Sequence, residues 1–285
     1  LRAMEAVIPP ISLRGAWTDA PARVPAVGER RRRVGLLLGC VQRVFFDDVN
    51  AATIRVLTAE GCEVVIPPSQ GCCGALMLHA GLEEDAAAMA RRFIDAFDTE
   101  AADVDAIVIN SAGCGSSLKE YGHLLRDDPR YAARAQALAD KCKDIAELLA
   151  EMEPRAARHP VPLTVAYHDA CHLQHAQGVT AEPRQVLATI PELDVREVPE
   201  AGICCGSAGI YNLVEPTTAS SLGDRKASNI RTTGAEAVVS SNPGCLLQIA
   251  SRLEQAGVPA RTYHMVELVD ASIRGVSLGT DADIG

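Results

Sequence analysis

Two loops with adjacent cysteines constrain this chain more than any other feature: Gly71-Cys72-Cys73-Gly74-Ala75 and Ile203-Cys204-Cys205-Gly206-Ser207. Each pair has a lone cysteine upstream, Cys40 or Cys171, and a Gly-Cys dipeptide downstream that ends in Cys114 or Cys245. The spacings nearly coincide. Between lone cysteine and pair lie 31 and 32 residues, and between pair and Gly-Cys lie 40 and 39. A four-thiol pattern repeated over so long a period belongs to two homologous domains rather than a solenoid of short units. Any fold for this chain must therefore gather four separated cysteines twice.

The length of 285 residues suits two domains, each able to bury a core of its own. A composition of 48% hydrophobic and 22% charged residues is globular rather than disordered. The net charge of −10 argues against a nucleic-acid partner, which calls for a basic patch. No apolar run approaches the ~18 residues of a membrane span. Ten cysteines could form five disulfides, but disulfide scaffolds are short, loop-rich and secreted, and vicinal cysteines bridge each other only under strain. A reducing, cytoplasmic setting is expected. Leu1-Arg2-Ala3-Met4 opens without a signal-peptide h-region and without an initiator methionine, which suggests a truncated or processed chain.

In order, residues 1–32 read as a linker with Pro9, Pro10, Pro21 and Pro25, running into the basic stretch Arg30 to Arg33, a solvated face. Strand signals at Val34 to Gly39, Cys62 to Ile66 and Ala106 to Ile109 alternate with helical patterns over 47–60 and 82–97, forming a first repeat over 33–125. A connector over 126–160 reads as helical, with Cys142 inside a Lys141–Met152 helix as a buried small hydrophobe, as Cys62 is within its strand. A second repeat over 161–275 has strands at 163–167, 195–198, 237–240 and 261–263 and helices at 183–189, 217–231, 246–256 and 265–271, before a tail at 276–285. Alternating strands and helices give an α/β class. Two pseudo-repeated domains are expected, each a mostly parallel sheet with flanking helices and its cysteines at the strand ends, where open α/β sheets bind ligands.

Four thiolates converging at such an edge, Cys40, Cys72, Cys73 and Cys114 in one half and Cys171, Cys204, Cys205 and Cys245 in the other, suit zinc or an iron–sulfur cluster. Adjacent thiolates strain around a single zinc ion but can bind neighbouring irons, so the pattern leans to iron–sulfur in at least one half. His168, His172 and His175 crowd Cys171 and are candidates to ligate, to donate to a cluster sulfur or to pass protons. His79 and His123 read as ordinary polar residues, Asp169 as orienting a histidine or capping a helix, Arg225 and Lys226 as surface, and Tyr211 with Asn212 as a polar lid.

These motifs resemble the cysteine-rich CCG domain of the iron–sulfur subunits of heterodisulfide reductase, glycerol-3-phosphate dehydrogenase and glycolate oxidase. His168-Asp169-Ala170-Cys171-His172-Leu173, the Cys204 to Asn212 stretch and Asn242-Pro243-Gly244-Cys245 are most similar to the glycolate oxidase subunit, and the likeness covers about 33–275. It implies an iron–sulfur cluster of [4Fe–4S] type in at least the second repeat, with zinc open for the first. It also implies an electron-transfer role between an FAD-containing dehydrogenase subunit oxidising a 2-hydroxy acid and a quinone-type acceptor, with peripheral association at the inner membrane face. No G-x-G-x-x-G occurs here, so the flavin is expected on another subunit. The chain departs from the family in lacking a ferredoxin-like Cys-x2-Cys-x2-Cys-x3-Cys-Pro segment, which suggests truncation with 1–32 as the remaining linker. Ser111 and Asn242 also stand where heterodisulfide reductase subunits have a further cysteine, so five-thiolate ligation and disulfide reduction are not implied. Two other classes stay open: a zinc-stabilised assembly module, and a thiol–disulfide oxidoreductase using the vicinal cysteines.

Overall fold

A computed structural model describes residues 20–258 and 260–278. Pro9, Pro10 and the rest of the expected linker before residue 20 lie outside the described residues, as does the expected tail from 279 onward.

The first half is a sheet of β1 (Arg23–Val24), β2 (Arg32–Leu37), β3 (Cys62–Val65), β4 (Ala106–Ile109) and β5 (Cys142–Asp144). Their order is β1-β3-β2-β4-β5, parallel except for the antiparallel edge β1. The second half repeats the arrangement without the edge. Strands β6 (Leu163–Tyr167), β7 (Leu193–Glu197), β8 (Ala237–Ser240) and β9 (Arg261–His264) lie in the order β7-β6-β8-β9, all parallel. The inner strands are mostly apolar and largely buried because helices cover both faces.

The helices are α1 (Cys40–Phe45), α2 (Asp47–Ala59), α3 (Ala75–His79), α4 (Glu83–Glu100), α5 (Ala112–Lys119), α6 (Tyr121–Leu124), α7 (Ala132–Lys141) and α8 (Ile145–Ala150) in the first half. In the second they are α9 (Ala181–Leu187), α10 (Tyr211–Val214), α11 (Pro216–Thr232), α12 (Pro243–Gln255) and α13 (Met265–Arg274). A π-helical turn spans His172–Ala176. Local sequence explains their ends. Glu83, Glu84 and Asp85 place negative charge at the positive N-terminus of α4, and Pro243 starts α12 where a missing N–H costs nothing. Capping boxes start α8 (Asp144 with Glu147) and α13 (His264 with Glu267).

Two details depart from the sequence reading. Cys142 lies on β5 rather than in a helix, since Asp144 caps α8 and stops it from extending back. Arg23–Val24 is a sheet edge and not part of a linker, and the basic stretch is paired: Arg30 and Arg33 engage the carboxylate of Glu63, as Arg23 on β1 also does. The expected pair of separate cores is also modified. One apolar cluster runs from Leu36, Val56 and Val64 through Leu148 to Val165, Val186, Met265 and Val269, so the halves share their largest core. Polar contacts reinforce the junction. Arg55 forks onto Asp270 at 2.9 and 2.7 Å, and the buried pair Arg158–Glu60 closes at 2.7 Å.

Candidate metal centres and the cleft between them

The first thiol cluster is built from loops at the carboxyl ends of β2, β3 and β4. Gln70 pins the loop after β3 to β2: its Oε1 accepts from the Leu38 N–H at 2.9 Å and its Nε2 donates to the Leu36 carbonyl at 3.1 Å. Asn110, at the end of β4, donates to Asn50 and Thr53 at 2.9 Å each, tying that loop to α2. Cys40 opens α1, and its Sγ stands 3.4 Å from that of Cys72. Tyr121 holds the pair from behind, its hydroxyl donating to the Cys73 carbonyl at 2.8 Å.

The second cluster uses the same positions after β6, β7 and β8. In both halves the glycine after the pair has a positive φ, 79° at Gly74 and 92° at Gly206, and turns its N–H back onto the first thiol of the pair. Gly74 donates to Cys72 Sγ at 3.4 Å and Gly206 to Cys204 Sγ at 3.3 Å. A Cβ on Gly206 would lie 2.3 Å from the Ala219 carbonyl, so only glycine fits. Asn242 donates to Cys245 Sγ at 3.4 Å, and its Oδ1 accepts from the Gly113 N–H at 3.1 Å across the junction of the halves.

The thiols share protons in the same alternation twice. A bond from the Cys40 thiol, then one from Cys73, hold Cys72 down to about 2, and Cys171 and Cys205 do the same to Cys204. Cys114 is lowered by Cys73 and then Ser111, and Cys245 by Cys205, then His168 and Asn242. Their partners Cys40, Cys73, Cys171 and Cys205 are pushed up, first by these same thiol contacts and then by burial. Four thiols this close cannot all ionise unless a cation replaces the protons they share. The donor set is soft sulfur, free of disulfides and partly buried, which fits a thiophilic metal or an iron–sulfur cluster. Backbone and side-chain N–H donors aimed at sulfur complete the fit.

The sequence-predicted histidines separate. His168 is 1% exposed, and a ring nitrogen lies within 4.8 Å of Cys205 and Cys245 Sγ. His172 Nδ1 is 3.6 Å from Cys171 Sγ. His175 turns away to the Gly202 carbonyl at 3.2 Å. Asp169 does not orient a histidine; it is paired with Arg184, which bridges it to Glu197. Lys226 is not a surface residue. It is 0% exposed, its ammonium donates to the Glu200 carbonyl at 3.0 Å, and burial lowers its pKa against the pull of the nearby Cys205. His79, set aside in the sequence, meets the His172 ring edge-on with centroids 4.9 Å apart. Nothing in local sequence marks either residue, because both acquire their partners only by tertiary packing.

Both clusters open onto one cleft of about 250 Å³ between the halves. Its walls include Cys40, Cys72, Cys73 and Cys114 from one side and Cys171 and Cys245 from the other, with His79 and His172 between them. Asn212 lines it too, tied to Gln248 at 3.2 Å, whereas Tyr211 does not.

The cysteine-rich CCG domain model matches twice, over residues 34–119 and 165–250, each match spanning one set of four thiols. The chain belongs to the CCG cysteine-rich domain family. This CCG chain is 39% identical over 273 residues to a probable glycolate oxidase iron–sulfur subunit of Bacillus subtilis, covering 94% of the chain and 61% of that relative. It is 30% identical over 240 residues to lactate utilization protein A of Bacillus cytotoxicus, covering 84% of the chain and 99% of that protein. The CCG chain thus spans less than two thirds of the glycolate oxidase relative. The crystal structure of a hypothetical protein from Helicobacter pylori superposes with a TM-score of 0.61 over 95% of this chain and 53% of its own, at 7% identity, a likeness of fold alone.

Proposed function

We propose that this CCG chain is an iron–sulfur electron-transfer subunit of a complex oxidising glycolate or a related 2-hydroxy acid. It takes electrons from an FAD-containing dehydrogenase subunit and passes them towards a quinone-type acceptor. The observation that carries the reading is that all four thiols of the first site, and Cys171 and Cys245 of the second, line one cleft, in a chain similar to a probable glycolate oxidase iron–sulfur subunit and to a lactate utilization protein A. An iron–sulfur cluster supplies one-electron carriage, which suits a chain placed between a flavin and a quinone.

The protein's part is to hold and to tune. Cys40, Cys72, Cys73 and Cys114 hold the first site, and Cys171, Cys204, Cys205 and Cys245 the second. Gly74, Gly206 and Asn242 direct N–H groups at sulfur and so stabilise its negative charge. His79 and His172 line the same cleft and meet edge-on there. Among the described residues no helix is long and apolar enough to cross a membrane; the reading places the chain in the cytoplasm, peripheral at the inner membrane face.

The test is metal and sulfide analysis with electron paramagnetic resonance on anaerobically purified protein. Iron with acid-labile sulfide and a reducible signal is the expected result. Zinc alone would favour a structural assembly module, and metal-free protein with titrating thiols a thiol–disulfide enzyme.

A further inference from the structure

His168 has an environment that core packing does not explain. It follows β6 directly, its backbone N–H bonds the Val239 carbonyl at 2.8 Å, and its ring is sealed from solvent. Neither ring nitrogen makes a well-formed hydrogen bond. A buried polar group left in that state is destabilising unless something else satisfies it. The first half shows that the fold does not require it. Three residues before Cys40, in the place His168 holds before Cys171, stands Leu37, 1% exposed and packed with Cys73 and Ile109.

The ring is aimed at sulfur. A nitrogen of His168 and the Sγ atoms of Cys205 and Cys245 all lie within 4.8 Å of one another, and all three residues are buried. Donors that share one metal atom stand roughly 3.5–3.8 Å apart, and donors on neighbouring metal atoms stand farther, so this separation puts the ring nitrogen within reach of the metal that the two thiols would hold. Of the other nearby histidines, His175 is turned to a carbonyl, and His172, with its Nδ1 3.6 Å from Cys171 Sγ, lies at the cleft wall rather than beside the buried Cys205 and Cys245.

We infer that His168 is a direct nitrogen ligand of the metal centre in the second half, which makes that centre a mixed sulfur–nitrogen site while the first is held by sulfur alone. The inference rests on the reading of the second cluster as a metal centre. A neutral imidazole adds a donor without adding negative charge, and the buried Lys226 ammonium beside Cys205 offsets the thiolates further. With four thiolates in each half and a buried ammonium behind the second alone, the second centre would be the easier of the two to reduce.

The test uses the whole chain, labelled with 15N-histidine, purified anaerobically and studied by pulsed electron paramagnetic resonance in its paramagnetic state. The expected result is a strong hyperfine coupling to a histidine nitrogen. That coupling should vanish in His168→Cys, which keeps a ligand and hence the iron. His168→Leu installs the first-half residue; it should keep its circular dichroism and melting cooperativity yet lose about half of the bound iron. Iron and sulfide in the wild type without strong nitrogen coupling would overturn the ligand assignment alone, as would coupling that persists in His168→Cys or full iron in His168→Leu. Wild-type protein without iron would overturn both the assignment and the reading beneath it.

Discussion

Leu37 and His168 occupy matching places in the two halves, each three residues before the lone cysteine at the carboxyl end of corresponding strands, and the contrast between them extends through both sites. Seven residues beyond the alanine whose carbonyl meets each post-cysteine glycine, Ala86 or Ala219, the first half has Phe93 and the second Lys226. Both side chains are 0% exposed. Ser111 matches Asn242, and only the asparagine reaches across to the other half. The thiol frame is thus preserved twice while its backing diverged, hydrocarbon behind one site and an imidazole and an ammonium behind the other. Sulfur geometry decides that a metal can bind. On the proposed reading, the groups behind it would set the potential of the metal, because a cation in a low-dielectric surround stabilises the more negative redox state.

The comparison can be broken most severely at the thiols. Cys205→Ala should abolish iron in the second half and leave the first loaded, and Cys73→Ala should do the converse; unchanged iron in either variant would refute the ligand assignment. A second contrast lies in the helix caps. Burial pushes the Asp144 carboxyl up to about 7, so its folded form is the protonated one. The stability from this group is full below its unfolded value near 3.8 and is lost as pH rises to about 7. In the second half burial likewise raises Glu267 to about 7, but it lowers His264 to about 4, and the two act in opposite senses between pH 4.5 and 6.5. Asp144→Asn should therefore gain about 2–3 kcal/mol on the wild type between pH 5 and 7 in denaturant titrations, the larger response of the two caps. A pH-independent difference would refute the buried-acid account.

Lys226→Phe, which copies the first half, should lower the reduction potential of the second centre by an amount equivalent to about 1–2 kcal/mol in a redox titration, and leave the first unmoved. A rise, or an equal shift of both, would remove the electrostatic distinction between the halves. The smallest effect is expected at the bridge. Asn242→Ser keeps a donor near Cys245 but gives up the bond from Gly113, at a cost of about 1 kcal/mol in thermal unfolding. No change would mean that the shared core and the other junction contacts, such as Arg55 with Asp270, couple the halves without this bond.

Much of the architecture can be read along the chain. Ala106–Ile109, Leu163–Tyr167 and Ala237–Ser240 are short apolar runs ended by polar or glycine-rich turns, a local pattern that marks buried parallel strands. Cys142 misled because Cys142, Ile145 and Leu148 fit a helical period equally well, and only the pairing of Ile107 with Cys142 makes the residue a strand. By itself the sequence determined the duplication, the α/β class and the eight thiols, since period, spacing and residue type are properties of the linear chain. Tertiary structure alone decided that both thiol sets face one cleft, that His168 is sealed against sulfur, and that Lys226 lies in the interior. Burial and charge proximity depend on which distant segments pack together, and no window of sequence contains them.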